Sequence, residues 1–370
     1  MSSAVTSGRD VFAVGRGQYE NIGDIILRRP LLNWAREAGR LHIYVGESPD
    51  GYDEGLGIGE GDEVHRSFAT WYAELVKSAA KGRASSIYKP GEVQLTLAGM
   101  KEHVAMLPAV SLVRLRGGKV GRVGAGSRNF APIPRAIMWP SNALSNYTRW
   151  RDVRTADYLG FGPAMPDLGF AEGLDEAAIR AAMLDDSRNV FAISLREDVE
   201  VAPRPYPDET WLRGVRSFIE ESGLEPWVVT QVSVDNDRSR RLAADLGADL
   251  LEWPVLSGHR EQEDRLRALY RRAQVVASDR LHVIIAAYTE GAAPVGLQLD
   301  DSDKISRHFD TIGVEDVGLN TTGLSSDDIR AALAKASASR EEMLEHLLPA
   351  RARLTQVRSD VVALLSGSDA

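Results

Sequence analysis

The sequence predicts an α/β protein built as two doubly wound lobes that face a central cleft. Three observations carry this. Apolar strand-like segments and amphipathic helix-like segments alternate along almost the whole chain, the pattern of parallel sheets covered by helices. The alternation restarts at Asn189, after a stretch over 161–186 that holds Gly162, Pro163, Pro166, Gly169 and Gly173 and reads as the connection between lobes. Ser278, Asp279, Arg280, Leu281 and His282 stand between an apolar strand over 273–277 and an apolar helix closed by Gly291, so charged groups lie at a strand-to-helix junction.

In the first lobe, residues 11–14 form a strand that leads through Gly15 and Gly17 into a helix over 22–38. A second strand covers 41–45, and residues 46–62, rich in Gly, Asp and Glu, read as a loop. Helices follow at 64–80 and 97–113. A strand over 119–123 ends in Gly124, Ala125 and Gly126, and a last strand covers 147–152. The second lobe alternates strands at 189–195, 227–232 and 249–253 with helices at 210–222, 238–246 and 262–272. The Ser278 junction, its helix and a strand over 294–297 complete it, and Lys304 follows. A helical tail over 325–365 packs back on the body. The expected division is 1–175, 186–324 and a tail of 325–370.

The chain has 370 residues, 44% of them hydrophobic, which suffices for two domains with cores of their own. A formal charge of −9 excludes a general nucleic-acid binder, and it requires any site for an anion to gather its basic residues locally. The absence of cysteine excludes disulfides, thiolate zinc sites and cysteine nucleophiles, and fits a reducing cytoplasm. Residues 1–10 are polar and show no signal peptide. No apolar run approaches the ~20 residues that cross a bilayer. The seven histidines show no metal-ligand spacing, and neither a P-loop nor a G-x-S-x-G motif is present.

Arg280 and His282 are the leading candidates for chemistry. A helix start presents unpaired N–H groups and a positive dipole end, which attract an anion. Arg280 adds a planar donor fork suited to phosphate or carboxylate, and His282 a group of the type that moves protons near neutral pH. The alternative is a helix turn whose polar groups only satisfy backbone. Two basic side chains beside a positive helix end repel one another unless an anion fills the gap. Ser194, Leu195 and Arg196 close the first strand of the second half, so Arg196 either points toward the same site or is a surface residue. Lys304 is either a further cation for the site or a solvated lysine at a helix start. Asn21 and Asp24 read as an N-cap and its capping-box partner; the functional alternative has Gly23 admit a substrate and Asp24 contact a sugar hydroxyl. Gly124 to Ser127 look like half of a dinucleotide loop without its third glycine. Arg151 and Asp152 read as an internal ion pair, and the aromatics Trp71, Tyr72, Tyr88, Trp139 and Trp150 as core or as sugar platforms.

Taken together these residues resemble the polysaccharide pyruvyl transferase family. Ser278, Arg280, Leu281, His282, Ala287, Gly291, Pro294 and Lys304 match its C-terminal signature in order. Asn21, Ile22, Gly23 and Asp24 match its N-x-G-D. Arg151, Asp152 and Thr155 resemble its R-D-x-S/T segment, Pro166 and Asp167 its P-D, and Ile193 to Arg196 its strand ending in arginine. The resemblance runs from about residue 11 to residue 318. Departures are Lys89 to Glu92 where the family carries a Gly-rich triplet, one extra residue between Gly291 and Pro294, and a long acidic loop at 46–62.

The resemblance implies a glycosyltransferase-B-like fold and a ketal-forming transfer. Phosphoenolpyruvate donates a carboxyethylidene group to two hydroxyls of one sugar of a cell-surface polysaccharide or its precursor, and phosphate leaves. It implies no obligatory metal, redox group or other cofactor. His282 becomes the acid/base, with Arg280 beside it; Arg196, Ser194, Ser278 and Lys304 hold the donor, and Asn21 and Asp24 face the acceptor. The partners are phosphoenolpyruvate and a free or lipid-linked glycan, without nucleic acid. A cytoplasmic enzyme results, not membrane-spanning, with a peripheral position at the membrane left open. The alternative is a nucleotide-sugar-dependent glycosyltransferase of the same architecture, for which Glu290 is the candidate ribose acid. A non-catalytic sugar-binding protein fits less well with titratable groups gathered at strand ends.

Overall fold

The computed structural model describes residues 8–197 and 204–368. Residues 1–7, part of the N-terminal stretch read for a signal peptide, lie outside the described residues. The chain divides into two units. One holds Asp24–Leu168 with the chain up to Tyr19 and from Ala352 on; the other holds Glu20–Gly23 and Gly169–Arg351. The division falls inside the 161–186 stretch.

The first unit runs β1 (Asp10–Val14), α1 (Ile22–Ala38), β2 (Arg40–Tyr44), α2 (Tyr52–Gly55), β3 (Glu63–His65), α3 (Phe68–Ala80), β4 (Ala84–Tyr88), β5 (Gly91–Val93), α4 (Met100–Leu115), β6 (Val120–Ser127), α5 (Pro132–Ala143), β7 (Tyr147–Trp150) and α6 (Val153–Leu159). Its strands are parallel in the order β3-β2-β1-β4-β6-β5, with β7 also on β6. Phe12, Trp71, Leu75, Val110, Val113 and Val120 form a core between strands and helices. β1 is apolar at Val11, Phe12 and Ala13 because helices cover both faces of a parallel sheet.

The second unit continues with α7 (Glu176–Met183), β8 (Val190–Ser194), α8 (Glu209–Ser222), β9 (Glu225–Val229), α9 (Asn236–Leu246), β10 (Asp249–Leu251), α10 (His259–Tyr270), β11 (Ala273–Ser278), α11 (Leu281–Tyr288), β12 (Ala293–Gln298), α12 (Lys304–Asp310) and β13 (Gly318–Asn320). Then come α13 (Ser326–Ala338), α14 (Arg340–Glu345) and α15 (Leu347–Ser366). The parallel order β10-β9-β8-β11-β12-β13 is the doubly wound one, and it reverses between β8 and β11. Helix α13 packs on α8, where Gly214 lets Ile329 approach. The end of α15 belongs to the first unit, where Asp360 accepts from Tyr147 Oη at 2.8 Å.

The fold class is as predicted; several elements differ. Residues 63–65 are an edge strand on β2 and not the start of α3, since the helical period begins only at Phe68. The 46–62 loop contains α2. The glycines at 124–126 lie within β6, where Gly124 has φ +73° and the register shifts between Val123 and Ala125. They make a bulge, not a phosphate loop. Among the described residues no helix is long and apolar enough to cross a membrane.

Candidate functional site

The reversal point of the second sheet brings five of the expected residues to one edge. Ser194 and Ser278 end β8 and β11 and pair in register. Both are fully buried, and Ser194 Oγ has no hydrogen-bond partner among the described residues. Ser278 Oγ accepts from the Arg280 N–H at 2.9 Å, which turns the chain into α11 with Arg280 at its N-cap. His282 follows on the first turn. Lys304 opens α12 beyond the carboxyl end of β12, on the same edge. Its carbonyl accepts from His308 Nδ1 at 2.6 Å.

Two buried acids organise this edge, and sequence reasoning passed over both. Asp235, which follows β9, accepts from Arg280 Nε at 2.5 Å and Nη2 at 2.7 Å, and from the Glu197 N–H at 2.9 Å. Asp279 accepts from the Arg196 N–H at 2.8 Å and lies 3.6 Å from Arg204, which also pairs with Asp300 at 2.8 Å. Two consecutive amides of the chain leaving β8 are therefore pinned by two carboxylates. Burial pushes the Asp279 carboxyl up to about 6, against the opposing pull of the Arg196 N–H and the nearby arginines. The anion expected beside Arg280 is thus supplied in part by the protein. Asp235 fixes one edge of the guanidinium and leaves Nη1 outside that pair. Asp279 could have been noticed between Ser278 and Arg280. Asp235 carries no local signal, because its partner is distant in sequence.

The segment Glu20–Gly23 joins this unit. Asn21 bridges Val232, the Ile22 N–H donates to Gln231 O at 3.3 Å, and the Ser233 N–H donates to Glu20 O at 3.2 Å. Asn21 Oδ1 accepts from the Gly23 N–H at 2.9 Å, the N-cap role expected of it. A Cβ at Gly23 would stand 2.8 Å from His282 Cβ and 2.9 Å from Gln231 Nε2. Glycine here makes room for those two side chains. Asp24, in the first unit, accepts from the Gln18 N–H at 2.7 Å and faces Arg28 at 3.1 Å.

The remaining motif residues have structural partners. Asp152 caps α6, accepting from the Thr155 N–H at 2.8 Å and its hydroxyl at 2.7 Å. Arg151 lies 3.6 Å from Asp167, and both are buried. Glu290 is fully buried and takes Arg267 and Arg271 at 2.7 Å each, one on either oxygen. Trp71 and Trp150 are core, whereas Trp139 is exposed. Among the described residues no three His, Asp or Glu side chains are grouped as metal ligands.

No protein-family model matches the sequence, and no curated protein matches it. Solved structures do resemble the fold. The UDP-GlcNAc 2-epimerase of Neisseria meningitidis, bound to UDP-GlcNAc, superposes with a TM-score of 0.58 at 12% identity over 95% of this chain and 99% of that one. Anabaena HepE in complex with UDP gives 0.53 at 9% identity over 95% and 100%. The UDP-GlcNAc 2-epimerase of Methanocaldococcus jannaschii gives 0.51 at 12% over 89% and 91%. At such identities the likeness shows the fold: two parallel α/β sheets of the glycosyltransferase-B type.

Proposed function

We propose that this chain is a sugar-modifying enzyme that binds an anionic donor at the carboxyl ends of β8 and β11, and that the donor is phosphoenolpyruvate. The observation that carries the reading is the Ser278–His282 junction at the sheet's reversal point, with the Arg280 fork oriented by Asp235 and His282 in the first turn of α11. In the reaction, His282 protonates the methylene carbon of the enol, and C2 becomes cationic. A sugar hydroxyl adds to C2 and returns its proton to His282. The C2–O bond to phosphate breaks, and a second hydroxyl closes the ketal, its proton leaving with the phosphate. Arg196, Arg280 and Lys304 hold the phosphate and carboxylate; Ser194 and Ser278 line the strand ends. Asn21 and Asp24 belong to the acceptor side.

A second reading, transfer or epimerisation of a nucleotide sugar, is favoured by the structural neighbours solved with UDP-GlcNAc or UDP. Two features weigh against it. Glu290, the candidate ribose acid, has both oxygens engaged by arginines. The turn from Asp279 to His282 contains no glycine for close approach of a pyrophosphate. Incubation with phosphoenolpyruvate and candidate glycans, read as phosphate release and a carboxyethylidene mass gain, tests the main reading. Turnover of a UDP-sugar with no phosphate release replaces it by the second. In the active assay His282→Ala lowers turnover about 10²–10⁴-fold at saturating donor, the range for general acid–base groups. Undiminished turnover in that variant removes the role.

A further inference from the structure

The first unit exposes an apolar surface flanked by arginines that the donor site does not use. Helix α5 turns Ile133, Ala136, Trp139 and Ala143 to solvent, a spacing that puts them on one helix face. Ile133 is 67% and Trp139 58% exposed, unusual for side chains of that size. The Trp139 ring meets the exposed Phe161 edge-on at 6.0 Å. The surface continues onto α6. Arg135 lies over the Tyr158 ring at 4.7 Å, Tyr158 meets Phe130 at 5.2 Å, and Arg154 lies over Phe130 at 4.3 Å. Arg135 makes no ion pair among the described residues, and α6 also exposes Asp157.

We propose that this surface docks on an anionic lipid bilayer. Exposed tryptophan and isoleucine beside arginine is the composition of segments that lie in a membrane interface. A chain of charge −9 is repelled by an anionic membrane as a whole, so contact requires a local cationic face. Arg135 and Arg154 provide one, with their guanidiniums held over rings. A second copy fits poorly, because an isologous contact sets the patch on itself and arginine against arginine. The inference does not depend on which donor the second unit takes.

The test is co-sedimentation of the full chain with phosphatidylcholine vesicles, with and without phosphatidylglycerol. Binding only to the anionic vesicles, weakening with salt, is expected. The double variant Arg135→Gln/Arg154→Gln should bind about 30-fold more weakly, roughly fivefold for each charge near the surface. Trp139→Ala should also weaken it, with an unchanged circular-dichroism spectrum because the side chain is exposed. No binding by the unaltered chain, equal binding to neutral vesicles, or binding indifferent to these variants overturns the proposal. A concentration-dependent dimer lost in Ile133→Glu, without vesicle binding, assigns the surface to a second copy instead.

Discussion

In the first unit Arg122 stands on β6 with its guanidinium 3.8 Å from the centre of the Tyr88 ring and 5.9 Å from that of Trp150. Its hydrogen bond goes to Ser141 Oγ at 3.2 Å, and no carboxylate among the described residues lies within ion-pair distance. In the second unit Arg280, also buried, is gripped through two nitrogens by Asp235. Burial without a counter-ion lowers Arg122 to about 10 and drives the neighbouring His103 down to about 3. Beside Arg280 burial acts on an acid, raising Asp279 to about 6. Arg122 and Arg280 are thus buried by different means. Aromatic faces settle a cation among uncharged neighbours. A carboxylate orients a guanidinium and leaves its other edge for a ligand, which is why the second arrangement is the one expected at a binding site.

Breaking the pair should give the largest effect. Asp235→Ala strands the Arg280 charge and frees the Glu197 N–H, and should cost about 3–5 kcal/mol of stability in urea unfolding. Arg122→Met removes a cation that has no carboxylate to abandon; it should cost less than about 2 kcal/mol, the cation–π contribution partly offset by relief of desolvation. The reverse order would refute the contrast. Gly23→Ala inserts a methyl group against His282 and Gln231 and should cost about 1–3 kcal/mol. A melting temperature indistinguishable from the parent would show that the segment yields freely.

The remaining effects are in pH, and their signs oppose one another. A buried Asp279 holds its proton to higher pH in the folded state, about 6 against an ordinary 3.8, so its contribution falls as pH rises through that window. His103, about 3 folded against 6.5, is neutral where the unfolded chain is protonated, so its contribution is lost as pH falls below 6.5. Between pH 4 and 6 Asp279→Asn should make stability climb more steeply with pH than in the parent, and His103→Phe less steeply. Denaturant titrations at several pH values read both slopes; slopes unchanged by either variant would contradict the burial argument.

The sequence made some of this legible and hid the rest for physical reasons. Helix α1 lies over the predicted 22–38 because its Asn21 cap and apolar period are local signals. The β11–α11 junction stood out because charged residues interrupt two apolar runs. Strand β4 was missed because Ser85 and Ser86 are buried polar residues that read as loop. Helix α5 was missed because Pro132, Pro134 and Pro140 obscure its period, and α7 because it lies in the stretch read as a connection. Arg280 was legible at the junction, but not the acid that holds it. A cation at a strand end is visible in one dimension, whereas the pairing of Asp235 with Arg280 exists only once β9 and β11 are set in one sheet.

We propose that the second unit binds a small donor carrying a phosphate and a carboxylate through an oriented Arg280. Calorimetric titration of the unaltered chain with phosphoenolpyruvate and with UDP-GlcNAc, repeated on Arg280→Lys, tests it most directly. Lysine keeps the charge facing Asp235 but loses the planar fork. Binding of phosphoenolpyruvate, none of comparable strength by UDP-GlcNAc, and loss of most phosphoenolpyruvate affinity in Arg280→Lys are expected. Tight binding of UDP-GlcNAc with no response to phosphoenolpyruvate would contradict it.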